Sequence, residues 1–153
     1  MRRLLLVHGG RPGGRAARLV AAIQAAVLAD VADVTLLVRP ALLATAEDLL
    51  EAEALLLVTP EHFGYMSGAL KDFFDRTFYP VEGKTPGLRY GLVVTAGTDG
   101  TGTCRGVERI ARGYGWSEVA EPVLLVGEPD DAGVGRACEL GLALAAGLSV
   151  GIY

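Results

Sequence analysis

Five short runs of mostly aliphatic residues, each followed within two residues by glycine or proline, divide this chain into repeating units. The runs are Arg3–Val7, Val34–Val38, Ala54–Thr59, Tyr90–Thr95 and Val119–Val126. Runs that are apolar throughout, rather than at alternate positions, are typical of strands buried on both faces of a parallel sheet. Parallel neighbours need crossover connections, and those crossovers are right-handed. The pattern predicts a three-layer α/β fold with a five-stranded parallel sheet in the order 2-1-3-4-5 and helices on both faces.

Segments in which apolar residues recur at helical spacing lie between these runs. They are Arg15–Ala29, Ala46–Glu53, Met66–Phe78, Arg105–Tyr114 and Val134–Leu148. In the third segment we expect Phe73, Phe74 and Phe78 to be buried, Ser67 to cap the helix, and Pro80 to mark its end. We expect the charged residues of the same segment to form ion pairs on its solvent face: Lys71, Asp72, Asp75 and Arg76.

Length and charge narrow the class of protein further. The chain has 153 residues, of which 51% are apolar, so we expect one domain over residues 1–153. A formal net charge of −4 without a basic cluster argues against a nucleic-acid partner. We find no targeting or membrane-spanning segment and expect a cytoplasmic protein. Cys104 and Cys138 have no metal-ligand spacing and are interpreted as free thiols of a reducing compartment.

In an open parallel sheet, ligands bind beyond the carboxyl ends of the strands, so three loops become candidates. The first loop lies between the first run and the first helix, where free backbone N–H groups favour an anion such as phosphate. Its two guanidinium groups offer charge-assisted hydrogen bonds. A tight turn with solvated arginines is the alternative interpretation. The candidate residues of this loop are His8, Gly9, Gly10, Arg11, Pro12, Gly13, Gly14 and Arg15.

The second loop carries the most specific motif of the chain. The stretch Thr59–Arg76 reads TPEHFGYMSGALKDFFDR. It resembles the flavodoxin-like NAD(P)H-dependent oxidoreductases, a family that includes FMN reductases and quinone reductases of the tryptophan-repressor-binding-protein type. The resemblance implies a flavodoxin-like fold and an FMN cofactor whose isoalloxazine is held by this loop. The residues that it implies are Pro60, Glu61, His62, Phe63, Gly64 and Tyr65.

Aromatic walls and backbone donors are also what a flavin needs on physical grounds, and Phe63 and Tyr65 are the candidates for such a wall. The third loop follows the fourth run as the corresponding loop of the family does, and its small residues let the backbone approach a planar ring. Its candidate residues are Ala96, Gly97, Thr98, Asp99 and Gly100.

The resemblance implies an FMN-containing reductase that passes electrons from NAD(P)H, a transient co-substrate, to a quinone, a flavin or another small-molecule acceptor. We nominate no acid–base catalyst and no metal ligand, because the flavin carries the chemistry. The family also forms homo-oligomers, to which Tyr79–Arg89 is a candidate contributor.

Two alternatives stay open. One is a flavodoxin-type one-electron carrier between proteins. The other is a flavodoxin-fold domain that has lost its flavin, since residues 8–15 lack the Ser and Thr hydroxyl groups that usually bind the FMN phosphate.

Overall fold

The computed structural model describes residues 1–153 and contains seven strands and five helices. The strands are β1 (Arg2–His8), β2 (Val34–Pro40), β3 (Ala54–His62), β4 (Tyr65–Met66), β5 (Arg89–Ala96), β6 (Ser117–Glu118) and β7 (Val123–Val126). The helices are α1 (Arg15–Asp30), α2 (Ala46–Glu51), α3 (Gly68–Val81), α4 (Thr101–Tyr114) and α5 (Asp131–Ser149).

The main sheet is parallel and runs β2-β1-β3-β5, with both β6 and β7 paired to β5. It therefore has the predicted order of five runs, and the predicted flavodoxin-like α/β class is confirmed. The chain first proceeds from β1 to β2 toward one edge of the sheet and then returns to β3 on the other side of β1, so the direction of strand addition reverses between β1 and β3. In such folds the crevice at this switch point is where ligands bind.

Two apolar clusters flank the sheet, and strand alternation assigns each aliphatic side chain to one of them. Leu4, Leu6 and Leu56 pack with α1 and α5 on one face. Leu5 and Leu57 pack with α2, α3 and α4 on the other face. The runs are apolar throughout because both faces of the sheet are covered.

Several predicted boundaries are wrong. The fifth run, Val119–Val126, is a strand only over β7, and the short strand β6 precedes the run and pairs with Arg89 and Tyr90. Pro122, just before β7, lacks an N–H for the ladder. Helix α4 begins at Thr101 rather than Arg105, because left-handed Gly100 (φ 89°) starts it. Helix α3 continues through Pro80 to Val81, since the fixed φ of proline is helical.

Helix α3 is tied to the turn that follows β2. The Arg76 guanidinium donates to the backbone carbonyls of Ala41 (2.7 Å) and Ala44 (2.9 Å), and it also pairs with Asp72 (2.6 Å). Lys71 pairs with Asp75 at 2.7 Å, so the predicted ion pairs of α3 are present. The Ser67 hydroxyl accepts from the N–H of Leu70 and caps the helix as predicted.

Candidate functional site

A cleft of about 370 Å³ opens at the carboxyl edge of the sheet, within the ~300–1,000 Å³ range of small-molecule sites. It is built from the three predicted loops and the strand ends that lead into them. Its lining residues are Gly10, Arg11, Gly14, Arg15, Ala16, Pro60, Glu61, His62, Thr95, Ala96 and Gly97. The lining is mostly polar and contains no Phe, Tyr or Trp side chain, so recognition in the cleft rests on backbone groups and polar side chains.

The first loop forms a backbone cradle at the start of α1. A Cβ on Gly10 would lie 2.8 Å from the Ala16 Cβ and 3.2 Å from the Ala17 nitrogen, and would therefore cover the first turn of the helix. Gly14 is the N-cap and provides no side-chain hydrogen bond to that turn. Helix geometry leaves the first N–H groups without intrahelical partners. The cradle is thus open to an anion because position 10 carries no side chain that would cover these N–H groups.

The two arginines of the loop are not equivalent. Arg15 donates from Nε to Glu128 at 3.0 Å, and Arg18 donates to the other carboxylate oxygen at 2.7 Å. Glu128 lies in the segment between β7 and α5. Arg11 makes no ion pair, although it lines the same cleft. Arg11 is therefore the guanidinium available to an anion, and the charge of Arg15 is shared with Glu128.

The second loop is a β-hairpin rather than an irregular loop. Strand β3 extends to His62 and pairs with β4 through Glu61–Met66 and His62–Tyr65. Phe63 (φ 54°) and Gly64 (φ 80°) form the two-residue turn. Both central residues of such a turn need positive φ when it matches the twist of the strands. The motif thus holds Glu61 and His62 at the cleft on a strand end.

A buried hydroxyl pair secures the base of this hairpin. Thr59 is fully buried, accepts from the N–H of Ser67 (3.2 Å), and donates to the carbonyl of Pro60 (2.9 Å). The Ser67 hydroxyl also packs so closely on Gly9 that a Cβ there would collide with it. Gly9 therefore serves the contact between the first loop and α3, and the two loops are fixed to each other.

The hairpin also rests on α4. The Gly64 carbonyl lies against Gly102, and the Tyr65 ring lies against Gly106, so a side chain on either glycine would collide with the hairpin. Small residues on α4 thus let the hairpin pack closely on the helix. The ring of Tyr65 faces α4 instead of the cleft, whereas Phe63 is wholly exposed at the tip of the turn.

The third loop is short. Ala96 and Gly97 line the cleft, whereas Thr98 and Asp99 are exposed and are not part of its lining. The Asp99 carboxylate accepts from the hydroxyl (2.9 Å) and the N–H of Thr101, which closes the turn into α4. Gly100 is buried and left-handed. Asp99 and Gly100 therefore shape the loop.

His8 lies directly below the first loop, at the end of β1. Its Nδ1 is buried and has no hydrogen-bond partner. Burial lowers the pKa of His8, and a backbone hydrogen bond at Gly10 opposes this. The imidazole is thus a neutral group at neutral pH and adds no charge to the cleft.

The structure brings part of the predicted set together and leaves part outside the cleft lining. Predicted residues that line it are Gly10, Arg11, Gly14, Arg15, Pro60, Glu61, His62, Ala96 and Gly97. Predicted residues outside the lining are His8, Gly9, Pro12, Gly13, Phe63, Gly64, Tyr65, Thr98, Asp99 and Gly100. Ala16 and Thr95 were missed, although each directly adjoins a predicted loop and the strand–helix pattern alone would have included them.

The residues present fit an FMN in two respects. The cradle at Gly10–Arg15, with free helix N–H groups and an unpaired Arg11, matches the chemistry of a phosphate monoester. The ends of β3 and β5 present backbone at Pro60–His62 and Thr95–Gly97, and open space surrounds Gly97, where a planar ring can approach. The fit at the phosphate end comes from backbone groups, which compensates for the missing hydroxyl groups.

The fold is a doubly wound α/β fold with a cleft at the switch point of its sheet. The chain belongs to the NADPH-dependent FMN reductase family, whose model matches residues 2–116. The predicted family, the FMN cofactor and the NAD(P)H co-substrate are thereby confirmed, and the chain is a flavin-binding oxidoreductase at the level of the family.

Solved structures support the same fold. A flavodoxin from the domain Archaea is 19% identical, with a TM-score of 0.80 and coverage of 96% of this chain and 99% of that one. A flavodoxin, WrbA-like protein from Agrobacterium tumefaciens is 15% identical, with a TM-score of 0.78 and coverage of 98% and 99%. The apo form of an NADH:FMN oxidoreductase is 15% identical, with a TM-score of 0.77 and coverage of 97% and 90%. No curated protein sequence matches the chain.

No helix is both long enough and apolar enough to cross a membrane.

Proposed function

We propose that this protein is an FMN-dependent reductase that transfers electrons from NAD(P)H to a quinone, a flavin or another small-molecule acceptor. The observation that carries the proposal is the open backbone cradle of the first loop, which faces the ends of β3 and β5 across one cleft. The family of the chain and the two-part fit of its residues to FMN support it.

In this proposal each loop has one task. The N–H groups of the first turn of α1 and the Arg11 guanidinium bind the phosphate. Backbone groups of Pro60–His62 and Thr95–Gly97 orient the flavin ring. The chemistry that FMN would supply when held there is hydride acceptance from NAD(P)H and electron transfer to the acceptor. The chain supplies binding and orientation, and no side chain is assigned as an acid or base.

Titration with FMN and with riboflavin tests the proposal, because the two ligands differ only in the phosphate. We expect FMN to bind at least ~100-fold more tightly, since several charge-assisted hydrogen bonds are involved. Quenching of flavin fluorescence measures both dissociation constants. Equal affinities would contradict a phosphate-binding role for the first loop, and no binding of either ligand at tens of micromolar would contradict the reductase proposal.

A flavodoxin-type carrier is the second candidate, and the net charge of −4 favours it because an acidic surface assists docking on a basic reductase. Steady-state oxidation of NAD(P)H by the FMN-loaded protein alone distinguishes the two functions. Turnover with a small acceptor supports the reductase, whereas reduction only through a partner protein supports the carrier.

A cytoplasmic location, a single-domain organisation and a homo-oligomer stay predictions, and sedimentation velocity at micromolar concentration tests the last.

A further inference from the structure

The two edges of the parallel sheet are built differently. One edge is formed by β6 and β7, which have two and four residues and are separated by a segment that contains Pro122. The other edge is β2, whose seven residues pair with β1 without interruption and include no lysine. Short strands, proline and lysine protect a sheet edge from pairing with another chain, whereas a long apolar edge is able to pair. The edge at β2 is therefore the unprotected one.

The backbone groups of β2 alternate between β1 and the open edge. In a parallel pair, every second residue directs both its N–H and its C=O toward the neighbouring strand. The Ala41 N–H donates to the His8 carbonyl at 2.8 Å and the register is unbroken, so the odd-numbered residues of β2 face β1. Val34, Leu36 and Val38 consequently direct their N–H and C=O groups outward, where no strand of the chain pairs.

These outward groups are complementary to the same groups of a second copy. When Leu36 of one copy lies opposite Leu36 of another in antiparallel orientation, Val34 falls opposite Val38. Antiparallel partners exchange hydrogen bonds at every second residue, so the outward groups of all three residues pair in this register. Pro40 is the next outward residue, and it ends the ladder because it has no N–H.

The same register brings opposite charges together. Asp33 directly precedes β2 and is exposed. It falls opposite Arg39 of the second copy, and the twofold symmetry repeats this pair at the other end of the ladder. The Arg39 side chain is 41% exposed and contacts Asp48 of its own chain only at 3.4 Å. Two opposite-charge pairs therefore favour this antiparallel register, whereas an in-register parallel pairing would place like charges side by side.

The helix beside this edge also permits a close approach. Helix α1 packs on the same face of the sheet as Leu36 and Val38. Between Leu19 and Ala29 it carries no charged residue, although Ala21, Ala25 and Leu28 are exposed. In two copies that share one sheet, both α1 helices lie on the same face, and no charge in this stretch opposes their approach.

We propose that two copies of this chain associate through β2, in the antiparallel register centred on Leu36, and so continue one sheet across the dimer. The inference does not depend on the proposed reductase function, because no residue of β2 lines the cleft. It assigns self-association to a surface separate from Tyr79–Arg89. The contact of two edge strands is small, so we expect a dissociation constant of about 10–100 µM.

Hydrogen exchange of the wild-type protein tests the register directly. We expect the Leu36 and Val38 amides to exchange about threefold more slowly at about 500 µM protein than at about 20 µM, because the dimer protects them. The Leu37 amide, already bonded to β1, should not respond to concentration. Equal exchange of Leu36 and Val38 at both concentrations overturns the inference, and so does a protein that stays monomeric in sedimentation over the same range.

Two lysine variants test the surface. Thr35 is exposed and falls opposite Leu37 of the second copy, so we expect Thr35→Lys to weaken dimerisation at least about tenfold. Val126→Lys adds the same charge at an exposed position of β7, on the other edge, and should leave the dissociation constant unchanged. Sedimentation equilibrium measures both constants. A dimer that T35K leaves intact overturns the inference, because another surface would then hold the two copies.

A charge exchange tests the pairing of Asp33 with Arg39. Asp33→Lys and Arg39→Glu each place two like charges opposite each other, and we expect each to weaken dimerisation about fivefold. The double variant D33K/R39E restores opposite charges and should regain most of this loss. A double variant that associates no better than the weaker single variant contradicts the register centred on Leu36.

Discussion

The two loops that face each other across the cleft are built in opposite ways. The first loop, residues 8–15, is shaped by missing side chains: Gly9 and Gly10 permit contacts that a Cβ would prevent. The hairpin, residues 59–67, is shaped by side chains that are present, namely the buried hydroxyl pair of Thr59 and Ser67 and the Tyr65 ring on Gly106. The first loop therefore presents backbone groups to the cleft, whereas the hairpin presents a strand end held by buried side chains.

Adding one carbon to the first loop is expected to have the largest effect. In Gly10→Ala the new Cβ meets Ala16 at 2.8 Å and approaches the Ala17 N–H. We expect a loss of about 1–3 kcal/mol in the free energy of unfolding and at least a tenfold loss of FMN affinity, while riboflavin affinity changes less. Urea unfolding and flavin titration measure the two.

Gly135→Ala in α5 is the matched control, since a Cβ there meets nothing within 4 Å. It should stabilise the helix by about 0.5–1 kcal/mol and leave FMN binding alone. Equal effects of the two substitutions would show that the cradle does not depend on the missing side chain.

The hairpin should respond to the loss of a polar atom instead. Thr59→Val keeps the shape but removes the acceptor of the Ser67 N–H, which is buried. We expect a loss of about 1–3 kcal/mol in unfolding free energy. Thr35→Val, at an exposed position of β2, provides the comparison and should change stability by less than about 0.5 kcal/mol. Similar changes in unfolding free energy for both variants would contradict a stabilising role of the hydroxyl pair in the hairpin.

Removing the negative charge of Glu128 tests whether Arg15 contributes to phosphate binding. Glu128→Gln removes the partner of Arg15 and Arg18. Because exposed ion pairs are weak, we expect FMN affinity to rise only about threefold, with riboflavin unaffected. The gain should shrink at 0.5 M salt, where surface charges are screened. An equal gain for riboflavin would mean that Arg15 does not reach the phosphate.

The smallest effect concerns pH. The pKa of His8 is lowered by burial, so the unfolded chain binds the proton more readily than the folded one. Above pH 6.5 His8 is neutral in both states and does not change the free energy of unfolding. As the pH falls from 6.5 through the lower folded pKa, the unfolded chain takes up the proton first, so the free energy of unfolding decreases. His8→Asn should flatten this decline in melting temperature between pH 7.5 and 5. A slope that His8→Asn leaves unchanged would assign the decline to other groups.

The pattern of apolar residues predicted the features that follow from a sheet covered by helices on both faces. Apolar runs such as Leu4–Val7 and Leu55–Val58 are continuous because helices pack on both faces, so the order of the main parallel strands followed from the sequence, whereas the two-residue strands β4 and β6 did not. The candidate loops followed as well, since the carboxyl ends of parallel strands share one edge.

Details set by single backbone conformations were missed. No residue pattern indicates that α4 begins at left-handed Gly100, or that a phenylalanine accepts positive φ in the hairpin turn. The ring of Tyr65 was predicted to face the flavin, but the packing surface provided by Gly106 is visible only in three dimensions. The ion pair of Arg15 with Glu128 joins residues 113 apart in sequence and had no local signal.

The hydrogen bonds from Arg76 to the turn after β2 affect how readily a protease cleaves that turn. Leu42 and Leu43 are 63% and 69% exposed in the turn after β2, which resembles a readily cleaved surface loop. A protease must extend such a segment before cutting it, and here the guanidinium of Arg76 holds the carbonyls on both sides of the two leucines. Nicking of this turn would therefore report the release of α3 rather than the exposure of the leucines.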